Sequence, residues 1–191
     1  MFHYILANFA IHVQLNDAET ARLVSVLQHH VVEKNDSLLQ PGSVCRHVWF
    51  VNKGCLRVFN RDKDGEEHNV LFCPENWWAS DMASFSNHAP AYYGISALET
   101  TEVFAITYQA LEQLYVDVPK LERFFRILSQ NGLSLFQYRL NANLSKTAEE
   151  RYALFQKQYP GLEQRIAQKH IASYLGITPV FLSMLRNRAV R

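Results

Sequence analysis

The sequence predicts an α+β fold in which an antiparallel β-barrel or sandwich is followed by a long helix and a helix-turn-helix. Three observations predict it. Short apolar runs separated by turn residues fill positions 31–106, a pattern typical of antiparallel strands. Apolar side chains then recur at helical spacing between Pro119 and Leu144, over about seven turns. Near the end of the sequence, two short helical segments meet at Gly176.

The apolar runs of the first region are rich in β-branched and aromatic residues, which favour strands. They lie at 44–51, 55–60, 68–72, 95–97 and 103–106. Turn residues separate these runs, and Asp64-Gly65 is a strong two-residue turn signal. We therefore expect Asp64-Gly65 to join two strands of a hairpin. Before the strands, Asn16 or Asp17 is placed to cap a short helix within 16–29.

The long helix begins near Pro119, a residue suited to a first helical turn. Its large apolar groups need a partner, which a parallel copy from a second subunit would supply. The alternative is packing against the barrel of the same chain. We expect a dimer interface formed by Leu121, Phe124, Phe125, Leu128, Leu135 and Phe136.

The last part of the chain has the pattern of a helix-turn-helix. Thr147 and Glu150 stand at capping-box spacing and predict a helix that ends near Gln158. In the helix that follows, Ile171, Ala172 and Leu175 are predicted to be buried. Gly176 can adopt the left-handed conformation of a tight turn. Thr178 then caps a second helix that starts at Pro179, and Leu182 and Leu185 face the first helix.

Charge divides the chain in two. Residues 145–191 carry eight basic and three acidic side chains, a net charge of +5, whereas residues 1–144 carry 11 basic and 15 acidic ones, a net charge of −4. A basic module on an acidic body is expected where only the module binds nucleic acid, although helical surfaces are often rich in Lys and Arg.

The sequence has no signal-peptide pattern and no apolar run long enough to span a membrane. Three cysteines fit reduced thiols, so we expect a cytoplasmic protein.

Along nearly its whole length, the chain resembles Crp/Fnr family regulators, particularly a short subgroup that ends near the recognition helix. The matching segments are Leu-Gln-Pro-Gly at 39–42, Trp-Phe-Val-Asn-Lys-Gly-Cys-Leu-Arg-Val-Phe at 49–59, the turn at 60–66, Glu-Asn-Trp-Trp at 75–78, Asp81, Ser84-Phe85, Ala-Leu-Glu-Thr-Thr-Glu-Val at 97–103 and Ala-Ser-Tyr-Leu-Gly-Ile-Thr-Pro at 172–179. The resemblance implies an N-terminal double-stranded β-roll of jelly-roll type at 1–118, similar to a cyclic nucleotide-binding domain and acting as a sensor. It also implies a dimerisation helix at 119–145 and an all-α helix-turn-helix domain at 146–191.

Two departures from the family pattern concern the ligand. Members that bind cyclic nucleotides carry Gly-Glu and, further on, Arg-(Ser/Thr)-Ala, where the Arg and backbone amides neutralise the phosphate. Here these positions read Ser80-Asp81 and Ala91-Tyr92-Tyr93, and no Arg lies between Lys63 and Arg123. Because a guanidinium contact to an anion is hard to replace, we do not expect cyclic AMP as the ligand.

A pocket in the β-roll would instead be aromatic, and a small apolar or aromatic effector would suit it. The candidate lining residues are Trp78, Asp81, Met82, Phe85, Tyr92 and Tyr93, with Trp77 and His88 nearby. The alternative is that the rings fill the barrel. The sequence predicts no cofactor and no metal site, and the effector stays unidentified.

The predicted DNA-binding residues are Gln168, Lys169, Thr178, Val180, Phe181, Ser183, Met184, Arg186 and Arg188. Relatives of the short subgroup tend to carry Glu and Arg where this chain has Val180 and Met184. Glu and Arg read base edges by hydrogen bonds, whereas Val and Met can contact only thymine methyl groups. Lys169, the arginines and the amides after Thr178 could hold phosphates. No β-wing is expected after the recognition helix.

Enzyme chemistry finds no support. The sequence contains no Gly-x-Ser-x-Gly, P-loop or His-Glu-x-x-His motif. An iron–sulfur cluster needs four ligands, whereas Cys45, Cys55 and Cys73 are three and lie in predicted strands. Two functions remain: a homodimeric DNA-binding transcription regulator that responds to an effector, or a diverged sensor or scaffold without sequence-specific DNA binding.

Overall fold

Eight strands form the β-roll that the sequence predicts, as two four-stranded antiparallel sheets. The structure is a computed structural model that describes residues 1–189, with side chains as far as Asn187. The first sheet has the order β1-β8-β3-β6 and the second has the order β2-β7-β4-β5. The strands are β1 (Gln28–Val32), β2 (Ser37–Leu39), β3 (His47–Lys53), β4 (Leu56–Arg61), β5 (Glu67–Cys73), β6 (Trp78–Ala79), β7 (Gly94–Ala97) and β8 (Thr101–Thr107).

Within residues 1–189, eight helices surround and follow the roll. They are α1 (His3–Ala10), α2 (Asp17–Val24), α3 (Met82–Asn87), α4 (Tyr108–Asp117), α5 (Lys120–Ser145), α6 (Ala148–Gln158), α7 (Gln168–Leu175) and α8 (Pro179–Ala189). A short 3-10 turn at Leu162–Gln164 connects α6 to α7. Within the residues described, no helix combines the length and the apolar character of a membrane span.

Local sequence signals determine several of these elements. The β4–β5 hairpin pairs Arg61 with Glu67 around Gly65, whose φ is 86°, which confirms the predicted hairpin. At α6, the side chain of Thr147 accepts from the N–H of Glu150, and the Glu150 carboxylate accepts from the N–H of Thr147. This reciprocal cap, predicted from the spacing, satisfies two donors that a helix start leaves free.

Other elements depend on tertiary contacts that the sequence pattern does not show. The helix predicted within 16–29 ends at Val24, and Gln28 already begins β1, which pairs with β8. Helix α1 is also absent from the prediction. It is held by Phe9, whose ring centroid lies 4.2 Å from that of Phe124 and 5.7 Å from that of Trp78.

The interior consists of two apolar clusters. The first fills the roll and continues under α1, α4 and the start of α5. The second lies on the outer face of the second sheet, where Phe72 and Leu98 meet apolar residues of α6, α7 and α8. The C-terminal helices are therefore packed against the roll through a core of their own, and the predicted divisions at 118 and 145 stay predictions.

The start of α5 belongs to the first cluster. Leu121, Phe124 and Phe125 are buried against the same chain, so they have no surface left to offer a second subunit. Further along α5, Leu128 and Leu135 are half-buried, whereas Phe136 is 41% exposed. The packing of α5 against its own roll, which the sequence left as an alternative, accounts for its first two turns.

Candidate nucleic-acid interface and sensor loop

The helix-turn-helix is formed by α7 and α8 around Gly176, which has a φ of 66°. Its inner side is apolar and buried, and consists of Ile171, Ala172, Leu175, Leu182 and Leu185. The side chain of Thr178 accepts a hydrogen bond from the N–H of Phe181 at 3.2 Å, which fixes the start of α8. The turn and the cap therefore have the geometry that the sequence predicts.

One side of α8 faces solvent. Val180 is 72% exposed and Met184 46% exposed, and Ser183 lies beside them one turn along the helix. Of the other predicted DNA-binding residues, Gln168, Lys169 and Thr178 are exposed, whereas Phe181 and Arg186 are half-buried. The predicted contact of Arg188 lies outside the side chains that the structure describes.

Helix α7 is bonded to strand β5. The Ser173 hydroxyl accepts from the N–H of Asn69 at 2.9 Å and donates to the carbonyl oxygen of Glu67 at 3.1 Å. The Asn69 amide donates to the carbonyl oxygen of His170 at 3.1 Å. These bonds fix the first helix of the helix-turn-helix relative to the second sheet.

An ion-pair group joins the same two parts of the chain beside these bonds. The Arg165 guanidinium donates to both Glu75 oxygens, at 2.8 and 3.0 Å, and to Glu99. Burial alone would raise the pKa of Glu75, but hydrogen bonds from Arg165 and from the N–H of Gly54 outweigh it and hold this pKa below its ordinary value of 4.5. Arg165 is therefore engaged with the roll rather than free for phosphate.

Two further arginines cap the end of α7. Arg139 of α5 donates to the carbonyl oxygen of Tyr174 at 2.8 Å and to that of Asn69 at 3.0 Å. Arg151 of α6 donates to the carbonyl oxygen of Leu175 at 3.2 Å. Both cations face the negative end of the α7 dipole, and both line a cleft of about 470 Å³ between the roll and the C-terminal helices.

In the roll, the predicted site residue Asp81 is buried and holds the loop between β6 and β7. One carboxylate oxygen accepts from the N–H of Ser84 at 3.0 Å, and the other accepts from the N–H groups of Tyr92 and Tyr93 at 2.9 and 3.0 Å. Tyr92 is 68% exposed, and its ring meets that of Tyr93 edge-on with centroids 5.1 Å apart. The structure thus brings three of the predicted pocket residues together.

The other predicted pocket residues make different contacts. The Trp78 indole packs on Phe9 and donates to Asn8 at 2.9 Å, under α1. Phe85 is buried against Tyr108, with ring centroids 5.4 Å apart. Met82 is 50% exposed. The Phe85 N–H donates to the carbonyl oxygen of Asp81 at 2.8 Å, but the rings of Trp78 and Phe85 pack on Phe9 and Tyr108, so a pocket lined by all six residues stays a prediction.

The residues that could bind a metal ion form one exposed group at the β4–β5 turn, within the part of the chain that the structure describes. The ligand atoms of Asp62, Glu66 and His68 lie within 4.8 Å of one another. The His68 ring bonds Asp62 at 2.7 Å, and Asp62 also accepts from the N–H groups of Asp64 and Glu66. These hydrogen bonds belong to the hairpin turn, and they explain why the three side chains lie close together.

Sequence reasoning missed Arg139, Arg165 and Glu75. The partners of the two arginine side chains lie 35 to 90 residues away in the chain, and the partners of Glu75 lie 21 and 90 residues away, so no local spacing shows them. The available signal is weak: Arg139 is a cation within a largely apolar helical run.

Comparison with known proteins supports this picture. The family model described as the cyclic nucleotide-binding domain matches residues 29–117. The fumarate and nitrate reduction regulatory protein of Vibrio cholerae is 25% identical over 199 residues, which cover 96% of this chain and 77% of that protein. The transcriptional activator protein FnrA of Stutzerimonas stutzeri is 29% identical over 154 residues, covering 78% of this chain and 61% of FnrA.

Among solved structures, FixK2 from Bradyrhizobium japonicum superimposes with a TM-score of 0.75 at 17% identity, over 85% of this chain and 84% of FixK2. At that identity, the likeness shows a shared fold.

Proposed function

Since this chain belongs to the Crp/Fnr family of transcription regulators, we propose that it acts as a homodimer that binds DNA through α8 and that a small molecule other than cyclic AMP controls this binding from the β-roll. Regulators of the family bind DNA and typically dimerise. The proposed place of action is the cytoplasm, where the DNA and reduced thiols are both found.

The single observation that carries the proposal is the geometry of α7 and α8. A left-handed glycine turn, a capped second helix and a solvent-facing side on that helix are the features with which a helix-turn-helix enters the major groove. The net charge of +5 over residues 145–191 supports the same assignment, because phosphate attraction supplies most of the sequence-independent affinity.

The proposed dimer contact uses the part of α5 that its own roll leaves uncovered. Leu133, Phe136, Leu140 and Leu144 are between 41% and 80% exposed. They follow one another at intervals of three or four residues, so they form one stripe along the helix. Phe136 is the predicted interface residue that lies on this stripe. A second copy of α5 would remove the stripe from water.

Base reading is proposed to be weak. Val180 and Met184 can contact thymine methyl groups but cannot pair with base edges as Arg and Glu can. Ser183 is the exposed hydrogen-bonding side chain beside them. Lys169, Gln168, Arg186 and the N–H groups at the start of α8 are the proposed phosphate contacts.

The second candidate is a diverged sensor or scaffold of the same fold that has lost sequence-specific DNA binding. The apolar character of Val180 and Met184, both exposed on the outward side of α8, is the observation that favours it.

A selection experiment separates the two candidates. Purified protein is incubated with a random-sequence DNA pool at two salt concentrations, and the retained molecules are sequenced. The regulator would be supported if a palindrome with half-sites about 34 Å apart is enriched and if the affinity falls steeply at the higher salt concentration. Salt-sensitive retention without enrichment would support phosphate contacts alone, and no retention at either salt, with and without a screened effector, would support the second candidate.

A further inference from the structure

The β6–β7 loop, residues 80–93, folds around a carboxylate of its own. Asp81 is 3% exposed, and its oxygens accept three hydrogen bonds, all from backbone N–H groups. The N–H groups of Tyr92 and Tyr93 are consecutive along the chain and point at the same oxygen. Consecutive N–H groups that converge on one point form a concavity that binds anions.

No cation from the described part of the chain shares this carboxylate. Among the described residues, no Lys, Arg or His nitrogen lies within 4.0 Å of Asp81. The dipoles of three backbone N–H groups therefore compensate its charge. Hydrogen bonds from N–H groups to a carboxylate are strong enough to make such an arrangement stable when the carboxylate is buried.

The loop has an independent anchor on the opposite side. The N–H of Ala91 donates to the carbonyl oxygen of Ser43 at 2.8 Å, and the carbonyl oxygen of Ala91 accepts from the N–H of Gly42 at 2.7 Å. The Ser84 hydroxyl accepts from the N–H of Cys45 at 2.8 Å. These bonds hold the amides of Tyr92 and Tyr93 near their present positions by contacts other than those of Asp81.

We propose that Asp81 is an internal anion that occupies the anion-binding amides of Tyr92 and Tyr93, and that it makes the roll selective against anionic ligands. A phosphate or carboxylate ligand would have to displace Asp81 and remain beside its charge, which no Lys, Arg or His nitrogen of the described residues offsets within 4.0 Å. A neutral ligand meets no such repulsion. The inference deepens the proposed function, on which its regulatory meaning rests, because it specifies the charge of the effector.

The test uses the full chain labelled with ¹⁵N-tyrosine, which gives at most nine backbone signals. Tyr92→Phe and Tyr93→Phe samples assign two of them. Wild-type protein, Asp81→Ala and Asp81→Asn are then titrated with sodium phosphate, sodium acetate and cyclic AMP, against sodium chloride at equal ionic strength. In parallel, the unfolding midpoint is measured in each salt.

We expect the Tyr92 and Tyr93 signals of the wild type to be unchanged by all three anions. In Asp81→Ala, the same two signals should move saturably with acetate or phosphate. The midpoint should fall by roughly 5 to 10 °C, because buried charged hydrogen bonds are lost, and about 0.1 M acetate should restore part of that fall. Asp81→Asn fills the same space without charge, so its two signals should not respond saturably.

Two results would overturn the proposal: saturable movement of the wild-type Tyr92 and Tyr93 signals with an anion, or a folded Asp81→Ala whose signals ignore every anion. If Asp81→Ala does not fold, the wild-type titration and Asp81→Asn decide. None of these measurements involves DNA or a dimer, so their failure is distinguishable from failure of the proposed function.

Discussion

The guanidinium carbon of Arg139 lies 3.7 Å from the centroid of the Tyr174 ring. The same guanidinium donates to the carbonyl oxygen of Tyr174, so one side chain of α5 binds both the ring and the backbone at the end of α7. Burial lowers the pKa of Arg139 from its ordinary value of 12.5, yet an arginine stays charged at neutral pH. The long helix and the helix-turn-helix are therefore joined by one cation.

Removal of this cation should destabilise the protein. We expect Arg139→Ala to lower the free energy of unfolding by about 3 kcal/mol, because a desolvated cation–π contact and two charged hydrogen bonds are lost. Arg139→Lys should recover only part of this loss, since an ammonium lacks the planar fork. Urea denaturation followed by circular dichroism measures both. The control is Arg126→Ala on the same helix, where the exposed arginine bonds Gln130 one turn away; an equal effect of the two alanine variants would contradict the assignment.

Stability should decrease between pH 6.5 and pH 4 because of His170. Burial, followed by the nearby cations Arg57, Lys169 and Lys34, lowers its pKa to about 4 against the opposing effect of Glu67. Between the ordinary pKa of 6.5 and this lowered pKa, His170 binds a proton in the unfolded chain but not in the folded chain. The contribution of neutral His170 to the free energy of unfolding is therefore fully present above pH 6.5 and is lost as the pH falls towards 4. We expect a loss of roughly 2 kcal/mol.

The measurement for His170 is the free energy of unfolding in urea at half-unit steps from pH 7 to pH 4. His170→Gln should reduce the slope of the free energy of unfolding against pH between pH 6.5 and pH 4. His3→Gln, at an exposed position on α1, should leave it unchanged. A curve for His170→Gln that matches the wild type throughout would show that another group titrates.

The pair between Arg165 and Glu75 should hold the C-terminal helices against the roll. Because the folded pKa of Glu75 lies below 4.5, the contribution of this pair is present above that pH and lost as the pH falls below it. At pH 7, Arg165→Met should cost about 1 kcal/mol and should speed tryptic cleavage after Lys146 several-fold. Arg22→Met removes a similarly exposed pair with Asp117 inside the N-terminal part, so cleavage after Lys146 should stay at the wild-type rate. Equal cleavage rates in the two variants would contradict the prediction.

The elements that the sequence predicts correctly depend on neighbouring residues, whereas the elements that it misses depend on residues far away in the chain. The Thr147 cap and the Gly176 turn need only their own neighbours, so spacing predicts them. Strand β1 has four exposed residues in a row followed by one buried residue, so it lacks the alternation by which strands are recognised. The position of the C-terminal helices on the roll depends on Arg165 and Ser173, whose partners are at least 66 residues away.

The roll illustrates the same limit. Composition predicts an aromatic site, but it cannot separate rings that face the loop from rings that face α1. The Trp78 ring is directed to Phe9 and Phe125, although Asp81 is only three residues away in sequence. Residue type therefore identifies the region of the proposed effector site but not its lining.

The exposed stripe of α5 leads to a prediction on assembly. Leu140→Glu should weaken self-association at least about 100-fold, because a charge replaces a central apolar contact. Tyr138→Glu is the matched control: Tyr138 is 54% exposed but lies two residues away, on a different side of the helix. Sedimentation equilibrium gives the two dissociation constants. A dimer that survives Leu140→Glu would move the contact away from this stripe.

The proposed phosphate contact of Lys169 has its own signature. Lys169→Ala should weaken binding to every DNA sequence by a similar factor, and the slope of log affinity against log salt should change by about 0.9. Lys53→Ala removes an exposed cation at the end of β3 and should leave the slope as it is. Fluorescence anisotropy with two unrelated duplexes at four salt concentrations would detect the difference; a sequence-dependent loss would instead assign Lys169 to base reading.

Helix α5 spans about 39 Å from its first residue to its last, given 26 residues at about 1.5 Å each. Its first turns are embedded in the interior of the roll, and its last turns are bonded to α7 through Arg139. Tilting such a rod by about 5° around its buried end would displace the far end by roughly 3 Å, which is comparable to the rise of one DNA base pair. Because Ser173 and Arg165 also bond the C-terminal helices to the roll, a tilt of this size would have to break those bonds before α8 could move.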